Sequence, residues 1–103
     1  MLSDTVINLI SQVYSVDSVG NQISTDTARQ VYASRRPISR SEFFTAQTAG
    51  IKAEHLFVIS SLDYEGERLV EYAGEKFTVY RVYENEHEQT ELYVERRLGD
   101  YGE

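Results

Sequence analysis

Residues 37–51, Pro-Ile-Ser-Arg-Ser-Glu-Phe-Phe-Thr-Ala-Gln-Thr-Ala-Gly-Ile, encode a complete short helix inside a chain that otherwise reads as β-strands. Ser39 and Glu42 have the spacing of a capping box, in which the serine hydroxyl takes the amide three residues on and the glutamate reaches back to the serine amide. Ile38 and Phe43 fall at the two positions of a hydrophobic staple. Gly50 stands where a left-handed residue closes a helix, with apolar Ile51 behind it. A helix specified at both ends and set between strands must be accommodated by the sheet around it. Residues 37–51 are therefore the segment on which function is expected to depend.

The flanking sequence reads as six short strands. Residues 4–16 are rich in β-branched and apolar types and favour a strand, although Val6, Leu9, Ile10 and Val13 also fit one face of a helix. After a turn at 17–21, residues 27–35 read as a second strand with Val31 and Ala33 inward and Gln30, Tyr32 and Ser34 on the other face; Pro37 ends it. Beyond the helix, 55–60 reads as a third strand, 63–66 as a turn and 67–72 as a fourth strand, joined through a short hairpin at 73–75 to a fifth. In that fifth strand, 76–83, Phe77, Val79 and Arg81 oppose Thr78, Tyr80 and Val82. A turn at 85–88 leads to 89–97, where Thr90, Leu92 and Val94 alternate with Glu91, Tyr93 and Glu95. The expected fold is mainly β: a small six-stranded antiparallel barrel or sandwich with one short helix inserted between strands two and three. The 103 residues contain no linker, repeat or low-complexity tract and read as one domain over 1–103, with 99–103 as a tail. A core of this size is small and gains from assembly.

The chain has no cysteine, which excludes disulfides, thiol catalysis and cysteine-type zinc sites. No apolar run has the length of a membrane span, and the start lacks the basic-then-apolar form of a signal peptide. The net charge of −7 is unevenly placed. Residues 1–50 carry four basic and four acidic side chains, and residues 51–103 carry six and thirteen. So acidic a domain is a poor binder of nucleic acid, because phosphate affinity comes largely from Lys and Arg releasing counterions. The local cluster of Arg35, Arg36 and Arg40 reads either as solvated surface or as a contact.

Candidate chemistry is sparse. His55 opens a strand with no evident partner and reads as structural. His87 lies in the acidic run 84–91, where a divalent cation is conceivable for a metal-dependent hydrolase, but the run looks like a charged hairpin tip and its spacing matches no common zinc pattern. Glu65 and Glu67 read as surface charges rather than an acid/base pair. There is no phosphate-cradling loop and no nucleophile elbow. No catalysis, cofactor or metal is expected. Phe43 and Phe44 are adjacent on a short helix, so they cannot both enter one small core. Phe43, Ala46, Gln47 and Gly50 form one stripe, with Phe44 off it. Either both rings pack at the edges of one groove, or one docks on a neighbouring subunit.

The block 31–47, Val-Tyr-Ala-Ser-Arg-Arg-Pro-Ile-Ser-Arg-Ser-Glu-Phe-Phe-Thr-Ala-Gln, followed by His-Leu-Phe-Val-Ile at 55–59, resembles tailed-bacteriophage head–tail joining proteins, also called head-closure, stopper or adaptor proteins. The likeness continues through Val-Glu-Tyr-Ala-Gly at 70–74, Phe-Thr-Val-Tyr-Arg at 77–81, Glu-Leu-Tyr-Val-Glu at 91–95 and Gly99, and covers roughly residues 17–99. The resemblance implies a small β-barrel that forms a ring beneath the portal, dodecameric in the assembled connector. It places the insert at the DNA channel, carried here by Pro37, Ile38, Ser39, Arg40, Ser41, Glu42, Phe43, Phe44, Gln47 and Gly50. The implied partners are the chain itself, portal or adaptor proteins, tail proteins and double-stranded DNA passing without specific binding. The implied location is the virion, reached by assembly in the host cytoplasm, with no membrane.

The residues fit this independently. A ring needs a head-to-tail contact between two unlike patches. Arg35, Arg36, Arg40 and Phe44 supply one, and the acids of 63–95 supply the other. A channel lined with fixed negative charge also lets DNA slide past. The alternative is a small monomeric β-barrel module that binds a protein or single-stranded nucleic acid.

Overall fold

Of the two periodicities carried by residues 4–16, the alternating one prevails. β1 (Thr5–Val16) pairs antiparallel with β2 (Gln22–Arg36) along its whole length, from Thr5 opposite Ala33 to Val16 opposite Gln22. Ile7 and Leu9 enter the core on one face, while Val6 stays on the other and is exposed. A helix would have buried Leu9, Ile10 and Val13 together, yet Val13 is exposed. The computed structural model describes residues 4–96. The expected tail at 99–103, with Gly99, lies outside the described residues.

After β2 come α1 (Arg40–Thr48), β3 (Ala53–Ser60), a 3-10 turn (Ser61–Asp63), β4 (Leu69–Tyr72), β5 (Glu75–Glu84) and β6 (Gln89–Arg96). All pairings are antiparallel, in the order β1-β2-β3-β6-β5-β4, and β4 returns to β1. The chain is therefore mainly β, with one helix among the described residues and six antiparallel strands in a ring-like sheet. The helix sits between strands two and three, as expected. Each strand sends alternate residues inward: Ile7 and Leu9, Val31 and Ala33, Phe57 and Ile59, Val70, Phe77 and Val79, Leu92 and Val94. A fully buried side chain of this kind contributes about 1.5–3 kcal/mol.

Two expectations are corrected. The first concerns β5, where Arg81 does not continue the face of Phe77 and Val79. The register slips between Val79 and Arg81, so Tyr80 is an extra residue bulged out of the ladder. Arg81 then pairs with Tyr93 and lies outside the ring. The second concerns β2, which begins at Gln22 rather than at residue 27. Its polar start, Gln-Ile-Ser-Thr-Asp, looks like loop, but cross-strand pairing with β1 holds it extended. β1 meets β4 only over Asn8–Ile10, and β2 meets β3 only over Ser34–Arg36. The rest of the hairpin, residues 11–28, outruns the ring as a two-stranded arm ~20 Å long. The described residues accordingly span 49 × 31 × 24 Å.

The β4–β5 hairpin is closed by two residues, Ala73 and Gly74, at φ 54° and 81°. Positive φ at both positions is the signature of a type I′ turn, which matches the twist of the strands but suits Asn-Gly better than Ala-Gly. Ala73→Asn is expected to raise stability by about 0.5–1 kcal/mol. The check is a higher urea midpoint at unchanged m-value.

Candidate functional site: the anchored insert

The helix ends form as the sequence dictates. Ser39 is extended, and its Oγ accepts from the Glu42 amide at 3.0 Å. At the other end Gly50 has φ 81°, the Gly50 amide donates to the Gln47 carbonyl at 3.0 Å, and the Ile51 amide donates to the Ala46 carbonyl at 2.8 Å. That pair of bonds is a Schellman motif.

Glu42 departs from the expected box. Its carboxylate does not close the loop onto Ser39; it turns to the sheet. The Tyr80 hydroxyl donates to Oε2 at 2.8 Å, and Arg81 Nη2 meets Oε1 at 3.0 Å. Both partners are presented by the β5 bulge. Arg81 also lies over the Tyr93 ring, 4.5 Å from its centroid, and the Tyr93 hydroxyl donates to Glu91 Oε1 at 2.9 Å. Glu42, Tyr80, Arg81, Tyr93 and Glu91 thus form one polar chain that fastens the first turn of α1 to the outside of β5 and β6. Burial, and then the bond to the Glu42 carboxylate, push the Tyr80 hydroxyl above its ordinary range, so it remains a donor. Burial and the Glu91 bond act likewise on Tyr93.

Little else in the helix faces the sheet. Ala46 is its only buried residue. The predicted stripe divides: Ala46 turns inward, while Phe43, Gln47 and Gly50, joined by Ile51 and Lys52, line an open groove of about 300 Å³. Phe43 is 44 % exposed and Phe44, off the stripe, is 69 % exposed. Ile38 is half-buried, and Pro37 and Ser41 are exposed. Arg35, Arg36 and Arg40 are exposed at the end of β2 and the start of α1. Among the described residues, ion pairs form at Arg29, Arg81 and Arg96, and none involves these three arginines or Lys52. The structure therefore brings the expected insert and contact residues to one end of the molecule.

The remaining candidates are dispersed. His55 is half-buried among Phe77, Tyr72 and Phe57, with ring centroids 5.0, 5.4 and 5.5 Å away. His87 is exposed in the β5–β6 turn, its amide donating to Asn85 Oδ1. His55 pairs with Val94, whereas His87 precedes Gln89, so the length of β6 separates the imidazoles. No group of three or more metal-ligating side chains is assembled among the described residues.

Burial, with a smaller push from Arg35, holds the His55 pKa below its ordinary 6.5. The native state then binds fewer protons than the unfolded chain, so stability present above pH 6.5 falls as pH drops through 6.5 toward the folded value. Melting temperature is expected to fall between about pH 7.5 and pH 5.5, and His55→Gln is expected to flatten that slope.

Glu67 corrects the reading of residues 65 and 67 as two surface charges. Glu65 is exposed, but Glu67 is only 7 % exposed. Its Oε2 accepts from Arg29 Nη2 at 2.7 Å and its Oε1 from the Glu65 amide at 3.0 Å. Arg29 also donates to the Asp63 carbonyl at 2.6 Å. Burial raises the Glu67 pKa, but the Arg29 bond and the backbone donors outweigh it and hold the carboxyl below its ordinary 4.5. One signal for the pair was present in the sequence: Arg29 shares the inward parity of Val31 and Ala33. A cation at such a position needs a buried acid.

No helix among the described residues is long and apolar enough to cross a membrane. Compared with known proteins, the chain matches no protein-family model and no curated protein.

Proposed function

We propose that this chain is a structural subunit of a tailed-bacteriophage head–tail connector. Copies of it form a ring that joins the portal or adaptor to the tail and helps close or line the DNA channel. The observation that carries this reading is the insert. A fully capped helix is held at one rim by Glu42, while Phe43, Phe44 and the groove beside them have no cover within the described residues. An element anchored through one carboxylate with its apolar side open fits a protein that acts by meeting other subunits, and not by catalysis. We also read the ring-like sheet as a barrel rather than a sandwich, because every strand has a hydrogen-bonded neighbour on both sides and all six share one core. The acid excess of the second half suits a channel through which DNA passes without sticking.

The test is electron microscopy of the protein mixed with its portal complex. The expected result is a ring that follows the portal's symmetry. Charge reversal at Arg36 and Arg40 together is expected to weaken ring formation by about tenfold or more, with stability changed by less than about 0.5 kcal/mol. A protein that stays monomeric beside the portal and binds single strands tightly, with steep salt dependence, overturns the proposal in favour of a small binding module.

A further inference from the structure

The arm formed by residues 11–28 has no evident use within its own chain. Val13, Tyr14, Val16, Val19 and Ile23 are all exposed on it. Val13 and Ile23 lie on the face that, further down the same strands, carries Ile7, Leu9, Val31 and Ala33 into the core. The core face thus continues past the ring and loses its cover there. A two-stranded ribbon is marginal in water on its own, and apolar side chains on it call for a partner.

The other end of the molecule supplies matching chemistry. The groove of Phe43, Gln47, Gly50, Ile51 and Lys52 is apolar on its floor and has room for side chains of this size. Lys52, Arg35, Arg36 and Arg40 give that end four cations without an ion pair among the described residues. Between residues 11 and 28 the only charged side chains are acids: Asp17 at the tip, whose Oδ1 accepts the Val19 and Asn21 amides, and Asp26 on the face opposite Val13 and Ile23. An acid-only apolar arm complements a cationic apolar groove. The two lie at opposite ends of β2, whose 15 residues put ~45 Å between arm tip and insert. No chain can fill its own groove across that distance.

We propose that the arm of one copy seats in the α1 groove of a second copy of this chain. The contact is heterologous, so each copy gives an arm and receives one, and repetition closes a ring. One arm face, ~20 Å by ~10 Å, is small for a stable pair, so the single contact is weak and gains strength from closure. This rests on the reading above that copies meet head to tail, and it names where they meet.

The chain has no cysteine, so single cysteines report the contact cleanly. Ser15→Cys places one on the arm and Gln47→Cys places one in the groove, both at exposed positions where melting curves check folding. The two variants are mixed at high concentration, without portal, and treated with a short bis-maleimide. The expected result is a cross-linked dimer at least about fivefold more abundant than in either variant alone or in a Ser15→Cys plus Leu62→Cys mixture. Adding Val13→Lys and Ile23→Lys to the arm, which removes the apolar contact and sets cation against cation, is expected to return the yield to that control level. Equal yields in the mixture and the Leu62 control overturn the proposal. Equally strong cross-linking by Ser15→Cys alone also overturns it, since it means arm meets arm. A portal ring that forms without the cross-link removes this contact and leaves the connector reading. A cross-link without a portal ring does the reverse.

Discussion

Arg29→Ala is expected to lower stability by about 2–4 kcal/mol, a large effect for a side chain outside the apolar core. The reason is what it leaves behind. Glu67 is nearly inaccessible to water, and the Glu65 amide that also donates to it carries no full positive charge. Arg29 is itself 37 % exposed, so its own solvation is only partly lost and the figure sits below that for a fully buried pair. In a domain of this length such a loss lowers the melting temperature by about 10–20 °C. The pH dependence separates this mechanism from simple loss of packing. In the parent chain the Glu67 pKa is depressed, so its contribution is present above pH 4.5 and lost as pH falls through the folded value. Without Arg29, burial dominates and raises that pKa, so the variant loses stability as pH rises through its new value. Adding Glu67→Gln removes the charge and keeps an acceptor for the Glu65 amide. The double variant is expected to recover at least about half of the loss. A double variant no more stable than Arg29→Ala alone contradicts the account.

Glu42→Ala is expected to free the insert without unfolding the ring. The carboxylate joins α1 to two β5 side chains, and Ala46 is the helix's one buried residue, so little else resists undocking. Arg81 is 48 % exposed and its share is discounted accordingly, leaving about 1.5–2.5 kcal/mol for the docking contact. Amide hydrogen exchange in residues 43–48 is then expected to accelerate by about 10- to 60-fold, since about 1.4 kcal/mol is tenfold in an equilibrium constant. Exchange in β3 and β6 is expected to stay unchanged. Uniform acceleration across the chain instead makes Glu42 part of the global fold rather than a local fastening.

The parts of this molecule written locally were legible in its sequence. Ser39, Gly50 and Ile51 specify their helix ends within a few residues, and the alternation of Thr90, Leu92 and Val94 fixes the inward face of β6. What was lost depends on residues far apart in the chain. Glu42 belongs to a capping box by spacing alone, yet Tyr80 and Arg81, some forty positions away, offer its carboxylate a charged and aromatic site that a serine amide cannot match. The bulge that presents them leaves a single local mark, the change of phase in Phe-Thr-Val-Tyr-Arg-Val that would otherwise put Arg81 inward and Val82 outward. Glu67 looked like any turn-flanking acid, since only the ring closure brings Arg29 to it. The arm was missed because Gln22, Ser24 and Asp26 break up the β-branched Ile23 and Thr25 with polar residues, and pairing with β1 holds the segment extended.

Closure of the sheet has a further consequence. A strand whose backbone amides and carbonyls are bonded on both sides cannot recruit another chain, and the strands are in that state wherever they overlap two neighbours in the ring. β5 offers a short row of amides and carbonyls without a third strand at Arg81–Glu84, past the end of β4, and the longest such row lies where β1 and β2 outrun their neighbours. That stretch is also uncharged over Val13–Val16 and free of proline. In a population of chains kept apart from the surfaces they normally cover, fibrillar stacking has its longest place to start on the arm.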